Sequence, residues 1–224
     1  MKLSTTTLNV LKNFAGINSG IEFKRGNKIS TISSTKTILA KATLSDEFPQ
    51  DFCIYDLNQF LSVHSLGKET ELDFDPQHVI FKSGRSKTKY RTTAKNMIVS
   101  APDKEINLPS IDGTFTLTEE DLAQALKNAS VLQSPNIAFE SDGSKVYITN
   151  FNSKDDSAHV NTIEVGDSTD QKKFKAVFLT ENFKMIPGTY NVEVSQQGLA
   201  SFKNSKGDLQ YWIAIEAKDS KFGE

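Results

Sequence analysis

The sequence predicts an α+β fold made of two duplicated domains, each an antiparallel sheet with two helices on one side. Three observations predict it. Short strands with period-two alternation outnumber helices; in Thr37–Leu44, residues Ile38, Ala40, Ala42 and Leu44 alternate as on a half-exposed sheet. The order helix, strands, strand running into a short helix, strands occurs twice. A stretch bearing Pro102 and Pro109, Ala101–Gly113, separates the two runs. Few helices beside many strands give sheets covered on one side. The domains are expected at residues 1–101 and 114–224, joined by a connector over 102–113 with an extended stretch at Glu105–Leu108.

In the first half, Leu8, Leu11 and Ala15 recur at helical spacing and predict a helix over Thr5–Ile17. Ser4 or Thr5 is its cap; Asn18-Ser19-Gly20 ends it, with a left-handed exit at Gly16 as the earlier alternative. Strands follow at Ile21–Phe23, Lys28–Ile32, Thr37–Leu44 and Asp51–Tyr55. The last runs into a second helix, Asp56–Ser65. Further strands are expected at Glu71–Phe74, His78–Lys82, Ser86–Thr92 and Asn96–Ser100.

In the second half, Thr118 caps a helix over Glu119–Leu132, and Glu119, Glu120 and Asp121 suit its positive end. A hairpin turns at Asp142-Gly143. Strands are expected at His159–Val165 and Phe174–Leu179, then a short helix over Thr180–Ile186 before Pro187-Gly188. The last strands are Thr189–Val194, Leu199–Lys203 and Leu209–Ala217. Leu11-Lys12-Asn13 recurs as Leu126-Lys127-Asn128, and Ile54-Tyr55 with Phe60 recurs as Val177-Phe178 with Phe183. The shared order argues for duplication.

The chain has 224 residues and a net charge of −2, from 26 basic and 28 acidic residues. That balance argues against a tight, direct grip on nucleic acid, though not against a local basic patch. The one cysteine, Cys53, lies in an apolar run and reads as a buried thiol. No signal-like or membrane-length apolar run is present in the sequence, so a soluble cytoplasmic protein is the expectation.

No catalytic constellation emerges. His64, His78 and His159 lack metal-ligand spacing, and a single cysteine makes no zinc cluster. Ser83-Gly84-Arg85-Ser86-Lys87-Thr88 lacks the pattern of a phosphate loop and reads as a hairpin tip. Asp73-Phe74-Asp75 and Asp155-Asp156 read as solvated turns. Neither cofactor nor metal is expected, and the chain reads as a binder, not an enzyme.

Five stretches carry a resemblance: LKNFAGINSGI (Leu11–Ile21), CIYDLNQFL (Cys53–Leu61), LTEEDLAQAL (Leu117–Leu126), MIPGTY (Met185–Tyr190) and YWIAIEA (Tyr211–Ala217). Together they resemble the DNA sliding clamps of T-even phages, whose architecture is that of the eukaryotic clamp PCNA. The resemblance implies a homotrimer closed head to tail into a ring, with helices lining the hole and sheets outside. It implies duplex DNA encircled without sequence preference, a tethered DNA polymerase and an ATP-driven clamp loader. In these phages it also implies support of late transcription, in the host cytoplasm.

A ring held by topology needs only a positive lining, not tight phosphate contacts. If the helices line the hole, Lys12, Lys127 and Lys184 are the first DNA-facing candidates, with Asn9, Asn13 and Asn128 beside them. The second helix offers His64 and no Lys or Arg. A partner-peptide pocket beside the connector would draw on Ile106, Leu108, Ile111 and Phe222. The competing reading is a structural or assembly protein with duplicated sheets, its lysines merely solvated. A hydrolase would need a titratable cluster that the spacing does not offer.

Overall fold

A computed structural model describes residues 1–223. They fall into two compact units, the first Met1–Asp103 and the second beginning at Lys104. The class is α+β with antiparallel sheets throughout.

The first unit runs α1 (Thr5–Ala15), β1 (Ile21–Phe23), β2 (Gly26–Ile32), β3 (Ile38–Phe48), β4 (Phe52–Ile54), α2 (Leu57–His64), β5 (Glu71–Phe74), β6 (His78–Ser83) and β7 (Ser86–Arg91). One sheet has the order β4-β1-β2-β3 and another the order β5-β6-β7. Ser4 starts α1, its Oγ accepting the Thr7 N–H at 3.1 Å. The buried stripe Thr7, Val10, Leu11, Phe14 and Ala15 packs on β3 and α2. Asp56 caps α2 by accepting the Gln59 N–H at 3.0 Å. Phenylalanines fill the core: Phe23 stacks on Phe52 at 4.5 Å, and Phe60 meets Phe81 edge-on at 5.0 Å.

Two expectations in this unit need correction. Gly16 is right-handed at φ −74°, so the helix ends without a left-handed exit. Asn96–Ser100 is not a strand; a single 3-10 turn covers Lys95–Met97. Ile98, within that segment, fills space left by Gly20, where an added Cβ would stand 2.8 Å from Ile98 Cγ2. Cys53 is buried, and desolvation pushes its thiol pKa up.

The second unit runs β8 (Gly113–Leu117), α3 (Glu119–Leu132), β9 (Asn136–Asp142), β10 (Lys145–Phe151), β11 (Asn161–Asp167), β12 (Lys173–Leu179), β13 (Tyr190–Ser195), β14 (Leu199–Asn204), β15 (Leu209–Ala214) and β16 (Lys221–Phe222). Its sheets have the orders β15-β14-β13-β8 and β11-β10-β9-β12-β16. Thr118 Oγ1 accepts the Asp121 N–H at 3.1 Å and caps α3, which buries Leu122, Ala125 and Ala129. The β9–β10 turn is held by Asp142, whose Oδ1 accepts the N–H of Ser144 and of Lys145, each at 2.8 Å. Gly143 supplies the positive φ of +94°. Gly113 lies flat against Phe174: an added Cβ would stand 2.3 Å from that ring.

The expected helix over Thr180–Ile186 is only a 3-10 turn, Thr180–Asn182. The residue before it, Leu179, gives no side-chain cap, and Pro187 follows too soon for helical turns to accumulate. The second unit therefore has one α-helix and a turn where two helices were expected.

Candidate nucleic-acid interface and connector cavity

The long helix of each unit buries one face and offers the other to solvent. On α1, Asn9 and Lys12 are exposed and Asn13 is half-buried. On α3, Lys127 is exposed among Glu120, Gln124, Ser130 and Val131. Asn128 is half-buried; its amide donates to Asn161 Oδ1 and accepts from Gln124 Nε2, both at 2.6 Å. That side chain is engaged in tying α3 to β11. Lys184 is exposed, but it follows the 3-10 turn and sits on no helix.

The helix α2 carries no Lys or Arg. His64, in its last turn, turns its ring edge to Phe81 at 6.4 Å. Burial, then the charge of Lys12, lowers its pKa. An imidazole held below its ordinary value is neutral at pH 7, so α2 adds no positive charge there. The same coupling puts Lys12 in electrostatic reach of the end of α2.

At the connector, Ile106 and Leu108 are half-buried and Ile111 is exposed. Phe222, on β16, is paired opposite Phe174. A cavity of about 470 Å³ is lined by Asp112, Lys172, Lys173, Gln196, Phe222 and Gly223. Of the four candidates, only Phe222 lines it. Asp112 Oδ2 accepts the Gln196 N–H at 2.8 Å and the Ser110 hydroxyl, and Lys172 Nζ donates to the Ile111 carbonyl. These bonds span up to 84 residues of sequence, so no local motif announced Asp112, Lys172 or Gln196. Two lysines against one aspartate leave the cavity cationic.

Among the described residues, no cluster of three or more His, Cys, Asp or Glu is placed to hold a metal ion. Nor is any helix there long and apolar enough to cross a membrane.

Antiparallel sheets, one long helix in each unit and a doubled plan make an architecture shared with solved clamps. PCNA from Thermococcus kodakaraensis superposes with a TM-score of 0.69 at 15% identity, covering 93% of this chain and 95% of that one. Residues 2–100 match the family described as DNA polymerase processivity factor, and residues 114–217 match the one described as gp45 sliding clamp, C terminal. The sliding clamp of Vibrio phage KVP40 is 33% identical over 97% of this chain and 100% of its own. That of Enterobacteria phage T4 is 34% identical over 97% of each. The chain belongs to the phage sliding-clamp family of DNA polymerase processivity factors.

Proposed function

We propose that three copies of the chain close head to tail into a ring around duplex DNA, hold the replicative polymerase to it, and perform no chemistry themselves. The observation that carries this reading is the recurrence of one lysine-bearing helix. Lys12 and Lys127 stand at matching places in the two units, each opposite a buried stripe. Six such helices in a trimer would present spaced positive charges to phosphates without fixing any base. Retention then comes from topology, and the lysines need only favour a centred duplex, an attraction that weakens with salt.

Lys184 adds a third charge from an irregular segment, and Asn9 and Asn13 add polar contacts to α1. The connector cavity suits a short acidic or apolar peptide from the polymerase or from an ATP-driven loader, with Phe222 as its apolar wall. Late-transcription factors are further candidates for the same cavity, and the host cytoplasm is the site of action.

The test is loading onto nicked circular DNA with a cognate loader, followed by linearisation. The ring reading expects retention on circles in high salt and loss from linear ends. Equal retention on both would sink it. Replacing Lys12, Lys127 and Lys184 together with Ala is expected to impair loading while leaving thermal unfolding unchanged; unimpaired loading would place the lining elsewhere.

A further inference from the structure

The second unit carries Lys184 without a helix. That residue lies between the 3-10 turn Thr180–Asn182 and β13, where the first unit has α2. A lysine on a helix is held in place by the backbone bonds of its own turns. Lys184 depends on other means. Pro187 is the reason no helix supplies them. The residue before a proline is driven toward extended conformations, so Ile186 has its N–H and its carbonyl outside any helical ladder. Backbone polar groups that leave water without a partner are costly.

Two tyrosines supply the partners. Tyr190 opens β13 and Tyr211 lies in β15, strands of one sheet, and both side chains are fully buried. The Tyr211 hydroxyl accepts the Ile186 N–H at 3.1 Å. The Tyr190 hydroxyl donates to the Ile186 carbonyl. The two rings meet edge-on at 6.1 Å. Burial pushes both phenol pKa values up, so the hydroxyls keep their protons at neutral pH and Tyr190 remains a donor. Both polar groups of a single residue are thus held by buried side chains that are distant in sequence.

Phe183 fixes the other end of the segment. Its ring packs against Phe139 at 5.8 Å, Phe178 at 5.5 Å and Phe202 at 5.9 Å. The Lys184 N–H donates to the Asn182 carbonyl at 2.9 Å. Lys184 therefore stands one residue past an aromatic anchor and two residues before the tyrosine grip, and it is exposed. A phenylalanine at 190 or 211 would fill the same core space. What the hydroxyls add is directed at the segment that carries Lys184.

We propose that Tyr190 and Tyr211 are positioning residues for the DNA-facing surface: their hydroxyls clamp Ile186 and so hold Lys184 in place without a helix. This rests on the ring reading with Lys184 in its lining, and it names what sets the position of that charge. A lysine on a fixed backbone keeps its charge near one place on the lining. On a loose segment the same lysine loses part of its attraction to phosphate to the entropy of ordering.

The test is a double-mutant cycle on the full chain. Its readout is the salt concentration at which loading onto nicked circular DNA by a cognate loader falls to half. Lys184→Ala is expected to lower that midpoint. Tyr190→Phe/Tyr211→Phe is expected to lower it by a similar amount, and the three changes together by less than the sum. A shift equal to the sum would reduce the tyrosines to a structural role and overturn the proposal, as would a midpoint unmoved by Lys184→Ala or by the tyrosine pair. Hydrogen exchange supplies a second measurement that needs no loader. The Ile186 amide should be protected in the unmodified chain and should exchange about tenfold faster in Tyr211→Phe, the upper end of what one hydrogen bond contributes. An Ile186 amide as fast as an exposed loop in the unmodified chain overturns the clamp even if the double variant fails to fold. Failure of the ring reading looks different: the unmodified chain would then fail to load, or be held equally on circles and on linear DNA, whatever the tyrosines do.

Discussion

Asp56 and Leu179 occupy matching places in the two units: Asp56 stands just past β4, Leu179 is the last residue of β12, and each comes four residues before a buried phenylalanine. After Asp56 the chain makes eight residues of helix; after Leu179 it makes a three-residue turn. Yet Phe60 and Phe183 do the same work. Phe60 packs against Phe81 at 5.0 Å and Tyr90 at 5.6 Å, and Phe183 against Phe178 at 5.5 Å and Phe202 at 5.9 Å. The ring position is kept while the backbone around it differs. The anchor is therefore the apolar side chain, and the helix is a local consequence of a cap in front and room behind.

The largest effect should come from the anchors. Phe60→Ala and Phe183→Ala should each destabilise their unit by ~3–5 kcal/mol, the usual range for a buried Phe truncation. Denaturant unfolding would measure both. A cost below that of a surface change at Phe183 would show that the turn, not the ring, holds the second unit.

The caps come next. Asp56→Ala should cost ~1 kcal/mol and Thr118→Ala a similar amount, each freeing an N–H that the side chain now satisfies. The converse change, Leu179→Asp, should add no helix by circular dichroism, because Pro187 still stops the chain. A measurable gain of helix would mean that capping alone separates the two units.

The smallest effect concerns acid. The backbone N–H of Lys145, then that of Ser144, hold the Asp142 carboxylate at about 2. An unfolded Asp titrates near ~3.9, so the folded value is depressed. The stabilisation is present above about pH 4 and is lost as pH falls toward 2. The turn is solvent-exposed, so Asp142→Asn should lower stability slightly at pH 7, and the difference from the unmodified chain should vanish near pH 2. A gap that persists there would assign the effect to turn geometry and not to charge.

Alternation and turn residues made most strands legible. Ile21–Phe23 and Glu71–Phe74 have the ends that pattern alone indicates. The turn at Asp142-Gly143 and the tip after Ser83 were equally readable, since both need a residue tolerant of positive φ. The failures are tertiary. Ile98 looks like a strand residue until Gly20 is found beneath it, and Phe183 looks helical because its spacing copies Phe60. At the site, the exposed faces carrying Lys12 and Lys127 followed from helical periodicity. Of the cavity residues only Phe222 was among the candidates read from the sequence; Asp112, Lys172 and Gln196 were not, because they are brought there only by long-range bonds.

Phe174 sets two distances at once. Its ring leaves no room for a side chain at Gly113, and its strand is the one that β16, with Phe222, joins. A glycine there lets the chain leaving the connector lie against the ring as on a stop. One residue upstream, Asp112 holds the same stretch from the other side, its N–H donating to the Val194 carbonyl at 2.7 Å and its Oδ2 accepting the Gln196 N–H at 2.8 Å.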